Sequence, residues 1–298
     1  MTTHPSAPID RRDIVVGYDA SRESRRALDW AADQADRLGR RLVVLTVVEP
    51  GEFGLNPAIA SFRRFLHAEA HRVADPALDR VRRDHPAVDA RIAVRVGGPP
   101  ACLEHASRQA GLTVLGVRHR SMASRLLLGS VAHHLVRTVD TPLALVPAGT
   151  TPVDLGRSGT ERVVAVVGPR AGGGAVRFAL DQAAGLHRDL LVVRTTEPAA
   201  GGHAELGPDG LEVLLGARPE VVVEEQVVHG SATEFIRHGL APADLLVVGN
   251  HEPGEERHLV VDRVVATLLH RPTCPVVVVP DTVRADASES EADTQVTA

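Results

Sequence analysis

Gly116, Gly129 and Ser130 lie at the two ends of a loop whose residue types suit an anion. The run Leu112–Val117 is short and apolar, as a buried strand is, and carries Gly116 near its end. Arg118, His119, Arg120 and Arg125 follow. Gly129–Ser130 then opens residues 131–139, where Val131, Leu135, Val136 and Val139 recur at helical spacing. A strand, a glycine-bounded loop and a helix start are the parts that hold phosphate. Backbone N–H groups at a helix start have no partner within the helix, and the helix dipole favours negative charge there. Ser130 serves as a helix cap or as an extra hydroxyl donor, and the arginines add charge.

Other groupings carry less. His67 and His71 stand four apart on a helical stretch, the spacing of a two-histidine metal face, but no third ligand is near in sequence. A solvated helix face accounts for them. His251, Glu252, Glu255, Glu256 and His258 read as a charged surface loop. His133 and His134 are adjacent, so on a helix they point apart, one to pack and one to cap. Gly172–Gly173–Gly174 reads as a flexible turn before a helix. Asp19 and Ser130 lack the third group that a base and nucleophile need, and no Gly-x-Ser-x-Gly elbow occurs. All 33 basic residues are arginine, which excludes a P-loop lysine and Schiff-base chemistry.

These residues need a scaffold, and the composition supplies one. The chain has 298 residues, 44% hydrophobic but only 2% aromatic, so its cores are built from Val, Leu, Ala and Ile. Short valine runs fit parallel strands buried on both faces. The formal net charge of −5 argues against nucleic acid as a partner. Cys102 and Cys274 are far apart and show no metal or redox spacing. Residues 1–13 have no signal-peptide core, and no apolar run reaches the roughly 20 residues that cross a bilayer. The expectation is a cytoplasmic protein without membrane contact.

The elements follow in order. A strand at 14–17 precedes Tyr18–Asp19–Ala20–Ser21 and an amphipathic helix over 24–38, stopped by Gly39. Strands follow at 42–48 and 92–96, with a helix at 60–83 between them in which Pro76 is a point of breakage. Gly97–Gly98–Pro99–Pro100 leads to a helix over 101–109, then the strand at Leu112–Val117, the glycine loop, the helix from Ser130 and a last strand at 143–146. That alternation predicts a doubly wound parallel sheet.

The pattern then repeats. Residues 163–168, 176–186, 190–193, 245–249 and 274–280 echo the first strand, first helix, second strand, fourth strand and fifth strand, and Gly230 matches Gly97. A period of about 140 residues is a domain duplication rather than a solenoid. Residues 1–148 and 161–281 are expected as two tandem five-stranded α/β domains, joined by a Gly/Pro/Ser/Thr-rich linker at 149–160. Residues 282–298 form an acidic tail expected to be disordered.

The order, spacing and duplication of Val16–Gly17–Tyr18–Asp19–Ala20–Ser21, Gly97-x-Pro99, the Gly116 to Gly129–Ser130 loop and the Thr/Cys-Pro-apolar-Pro strand resemble the universal stress protein family in its tandem form. That resemblance implies a Rossmann-like fold of the adenine nucleotide alpha hydrolase type. It also implies ATP or another adenine nucleotide held by a loop of the form Gly-x2-Gly-x9-Gly-Ser/Thr. Gly116, Gly129 and Ser130 fit that form, whereas His119 replaces the middle glycine. By resemblance, Asp19 lies in the adenosine pocket, Val47 lines the adenine, and Gly97, Arg118 and Val131 complete the surroundings. A histidine at 119 either blocks the outer phosphates or donates a hydrogen bond to them.

In the second copy Asp262–Arg263 replaces Gly129–Ser130, the loop 251–256 is acidic, and Arg170 or a neighbour stands where Asp19 stood, so that site is degenerate. The resemblance further implies that the two copies pair as a pseudo-two-fold dimer through their last strands. It leaves open a homodimer and an unidentified protein partner. The reading is a stress-response regulator rather than an enzyme. A nucleotide-free dimerisation or interaction module, and a slow nucleotide hydrolase or adenylyl-transfer enzyme, are its alternatives.

Overall fold

The computed structural model describes residues 8–49, 60–117, 129–148, 162–168, 173–196, 216, 218–238, 243–250 and 274–280. Arg118, His119, Arg120, Arg125, the linker 149–160, Arg170, the loop 251–256, Asp262–Arg263 and the tail 282–298 lie outside the described residues.

The valine-rich runs become strands because both of their faces are covered. Ile14, Val15 and Val16 of β1 (Ile14–Gly17) have no exposed surface. In chain order the first half continues with α1 (Arg22–Leu38), β2 (Leu42–Val48), α2 (Ala60–Asp84), β3 (Ala90–Val96), α3 (Pro99–Ser107), β4 (Leu112–Val117), α4 (Ser130–Thr138) and β5 (Leu143–Pro147). The second half holds β6 (Arg162–Val167), α5 (Gly173–Leu186), β7 (Asp189–Thr195), β8 (Val223–Val228), α6 (Ala232–His238), β9 (Leu245–Asn250) and β10 (Val276–Pro280).

Among the described residues the strands form one sheet in the order β3-β2-β1-β4-β5-β10-β9-β6-β7-β8. Each half is parallel within itself. The halves meet where β5 and β10 pair antiparallel, with Val276 opposite Leu145, Val277 opposite Ala144 and Val278 opposite Leu143. From Gly97 to Gly230 onward the copies align without a gap, so Val277 is the counterpart of Ala144. The two counterparts face each other and the flanking pairs exchange places, as a two-fold axis through that pair requires. Because strand direction reverses there, the carboxyl edges of the two halves lie at opposite edges of the sheet.

Face coverage follows from right-handed crossovers. One face carries a core shared by α1, the C-terminal part of α2 and α5, including Leu28, Trp30, Leu78, Val176, Leu180, Ala144 and Val277. The other face carries two cores. Leu103, Ala106, Leu135 and Val136 of α3 and α4 cover the first half, and Phe235 and Ile236 of α6 cover the second.

Four local expectations change. The helix expected to break at Pro76 runs unbroken, because Leu66, Ala70, Ala74, Ala77 and Val81 stay buried along its length while Pro76 sits on its exposed face. The helix expected at 101–109 begins at Pro99, since proline suits a first helical position where the N–H has no partner. The helix expected at 176–186 takes in Gly173 and Gly174. Finally, Ser130 is the first helical residue of α4, not its cap. Gly129 holds the cap position with φ −59° and ψ 157° and makes no side-chain cap bond.

Candidate functional site

In a doubly wound sheet the crevice opens where successive crossovers diverge, at the carboxyl ends of the strands. In the first half that point lies between β1 and β4, since β2 and β3 lie to one side and β5 to the other. The turn leaving β1 and the starts of α1 and α4 border it.

The β1–α1 turn is fixed by a chain of short polar contacts. The Ser21 N–H donates to Asp19 Oδ1 at 2.9 Å, and the Asp19 N–H donates to Ser24 Oγ at 3.4 Å. Ser24 Oγ donates to the Ser21 carbonyl at 3.2 Å, while the Ser24 N–H donates to Ser21 Oγ at 3.1 Å and caps α1. Ala20 sits in the left-handed region at φ 61°. Partial burial opposes ionisation of Asp19, but hydrogen bonds from Ser21 and Ser24 outweigh it and hold the carboxyl below its usual value. Asp19 therefore presents a fixed negative charge at the mouth of the crevice.

The walls come from neighbouring strands. Val47, near the end of β2, and Val131, in the first turn of α4, are half-buried against the same apolar cluster as Leu45, Leu103 and Leu135. Gly97 follows β3 at φ 147°, and its N–H donates to the Val48 carbonyl at 3.1 Å. A side chain there would meet both that unusual φ and Cys102 Sγ, 3.2 Å from an added Cβ. Gly116 in β4 meets a packing need. The Glu23 backbone and the Ser24 amide of α1 occupy the place of its missing Cβ, so this glycine lets α1 lie against β4.

Three first-half helix starts can be compared for anions. The start of α1 is capped by Ser21 Oγ and carries Glu23 in its first turn. That of α3 spends two positions on Pro99 and Pro100, which have no N–H. Among the described residues, only α4 of these three has no side-chain cap bond, no acidic residue in its first turn, and N–H groups at its first positions. Ser130 is exposed there. Behind it, α4 is braced against α3. His134 Nε2 lies 2.6 Å from Glu104 Oε2, and Arg108 donates to Glu104 Oε1 at 2.6 Å. The Thr141 hydroxyl donates to the Ser107 carbonyl at 2.9 Å. His134 is thus the partner of a carboxylate and not a capping group. His133 is exposed.

Asp19, Val47, Gly97, Gly116, Gly129, Ser130 and Val131 all fall at the carboxyl edge of the first half or at the helix starts beside it. Arg118 and His119 lie outside the described residues. Ser24 and Thr46 were missed from sequence. Thr46 is the lone polar residue in the run Leu42–Val48, which is the signal that could have found it. Among the described residues no group of three His, Cys, Asp or Glu side chains could hold a metal. His71 instead lies 3.3 Å from Asp75. Among the same residues no helix is long and apolar enough to cross a membrane.

A doubly wound sheet with a polar turn, an apolar wall and an uncapped helix start at its switch point places the chain among the α/β proteins of Rossmann-like fold. Residues 10–147 match the model of the universal stress protein family. The universal stress protein Rv1996 of Mycobacterium tuberculosis is 27% identical, over 81% of this chain and 86% of its own length. Rv2005c, another universal stress protein of that organism, is 25% identical over 92% of this chain and 98% of its own. A solved universal stress protein from Archaeoglobus fulgidus shares the fold across 90% of this chain and 96% of its own, with a TM-score of 0.64 and 18% identity. Residues 10–147 are thus a universal stress protein domain, and the chain as a whole is similar to proteins of that family.

Proposed function

We propose that the first half, residues 1–148, is a domain that binds an adenine nucleotide, ATP foremost, and that the second, residues 161–281, is a degenerate copy with a structural or regulatory role. The observation that carries this reading is the start of α4, which has no side-chain cap bond, no first-turn acid and an exposed Ser130 beside the switch point. The phosphates would lie there, near Gly129 and Ser130, with Arg118 and His119 from the preceding loop. The base would lie against Val47 and Val131, and Asp19 would face the nucleoside. We read the chain as a cytoplasmic regulator whose nucleotide state biases its surface toward a protein partner, and not as an enzyme.

Calorimetric titration of ATP, ADP and AMP into protein stripped of nucleotide tests this. Saturable binding is expected, weakened about tenfold or more by Asp19→Ala, since tenfold is what the loss of one charge-assisted hydrogen bond produces. Absence of binding for all three at millimolar concentration would contradict the reading.

A further inference from the structure

We propose that Thr46 is a positioning residue of the nucleotide site, holding its nucleoside end in register; this rests on the reading just given. Thr46 is 4% exposed. Its hydroxyl donates to the Tyr18 carbonyl at 3.1 Å. The bond falls where β1 leaves the sheet. The β1–β2 register ends with Gly17 opposite Leu45, and the Tyr18 N–H gives one further bond to the Leu45 carbonyl at 2.9 Å. The next residue on one chain is Asp19, and the next on the other is Val47. The Thr46 hydroxyl therefore ties together the backbones that carry the carboxylate and the apolar wall.

The turn after Tyr18 is not one the chain adopts freely. Ala20 is at φ 61°, a conformation that costs an L-residue energy and persists only when its surroundings fix it. Ser21 and Ser24 fix it from the α1 side. Thr46 fixes it from the β2 side. A valine at 46 would have nearly the same shape but leave the Tyr18 carbonyl without this buried donor, so the turn would be anchored by α1 and the Tyr18 N–H alone. The phosphate end, on α4, is held separately by α3. Thr46 should therefore act on affinity for the nucleoside and leave the contribution of the outer phosphates unchanged.

The test uses the full chain with Thr46→Val and Thr46→Ser. AMP and ATP are titrated calorimetrically at a temperature where circular dichroism shows each variant folded. Hydrogen–deuterium exchange of the peptide spanning residues 18–24 is followed without nucleotide. Thr46→Val is expected to weaken AMP and ATP alike by about tenfold, with the ratio of their affinities unchanged, and to speed exchange in the turn. Thr46→Ser should stay within about twofold of the parent in both respects, the figures expected for losing or keeping one buried hydrogen bond. Wild-type affinity in folded Thr46→Val, or a loss confined to ATP, would overturn the proposal. If the parent binds neither nucleotide, the reading of the site falls. The exchange data then decide for Thr46 alone, and unchanged exchange in Thr46→Val would overturn its hold on the turn.

Discussion

Asp19 and Thr113 show how differently one polar atom can be placed. Asp19 has its carboxyl held below the usual value by Ser21 and Ser24, against the effect of burial. A depressed carboxyl stabilises the fold above its unfolded value, about 3.9, and that stabilisation disappears as pH falls through the lower folded value. Urea unfolding from pH 6 downward should therefore show a loss below about pH 4 that is smaller in Asp19→Asn. Thr113 on β4 is the reverse case: it has no exposed surface, and its hydroxyl has no hydrogen-bond partner among the described residues. Valine matches its shape without the hydroxyl. Thr113→Val should raise stability by about 1 kcal/mol, read as a shift in urea midpoint with unchanged slope. Neither effect was legible in the sequence. Asp19 was picked out by the motif around it, but its hydrogen bonds needed the turn, and Thr113 looked like one more β-branched strand residue.

At the scale of elements, the copies differ most clearly at their helix ends. α1 stops at Gly39 in the left-handed conformation, φ 59°, with the Arg40 N–H bonded to the Ala35 carbonyl. α5 stops the same way, with the Arg188 N–H bonded to the Ala183 carbonyl, but it places His187 at φ 52°. A non-glycine residue in that region costs about 1–2 kcal/mol. His187→Gly should therefore raise the melting temperature, and Gly39→Ala should lower it by a comparable amount. Gly116→Ala should cost about 1–3 kcal/mol or more, because α1 must move away from β4 to admit the methyl group. Nine of the strands described were legible because apolar runs leave a plain signature in sequence, whereas β8, Val223–Val228, is largely exposed and carries no such run. The start of α3 and the unbroken course of α2 were not, since they depend on proline finding a helix's first turn or its exposed side. The Glu104–His134 brace joins residues 30 apart on two helices, which no local periodicity encodes.

The whole molecule is organised by the pair Ala144–Val277, about which one half maps onto the other. The duplication was legible because the copies align without a gap from Gly97 on. What sequence alone left open was that the face bearing α1 and α5 closes over a single core spanning both halves. A shared core makes for cooperative unfolding. Trp30 is the only tryptophan, is 2% exposed and lies in that core within the first half. Its fluorescence should therefore report the same denaturation midpoint as far-ultraviolet circular dichroism, and an earlier Trp30 transition would show the halves unfolding separately. Opposed carboxyl edges also mean that the two halves cannot close on one ligand together.

The measurement that bears most directly on the central claim is to denature freshly purified protein and quantify the nucleotide released, by chromatography, per chain. One competent and one degenerate half should release about one adenine nucleotide per chain, by mass action on a single tight site. Two per chain would contradict the degenerate reading of the second half. None, followed by no binding on titration with millimolar ATP, ADP or AMP, would contradict the nucleotide site itself.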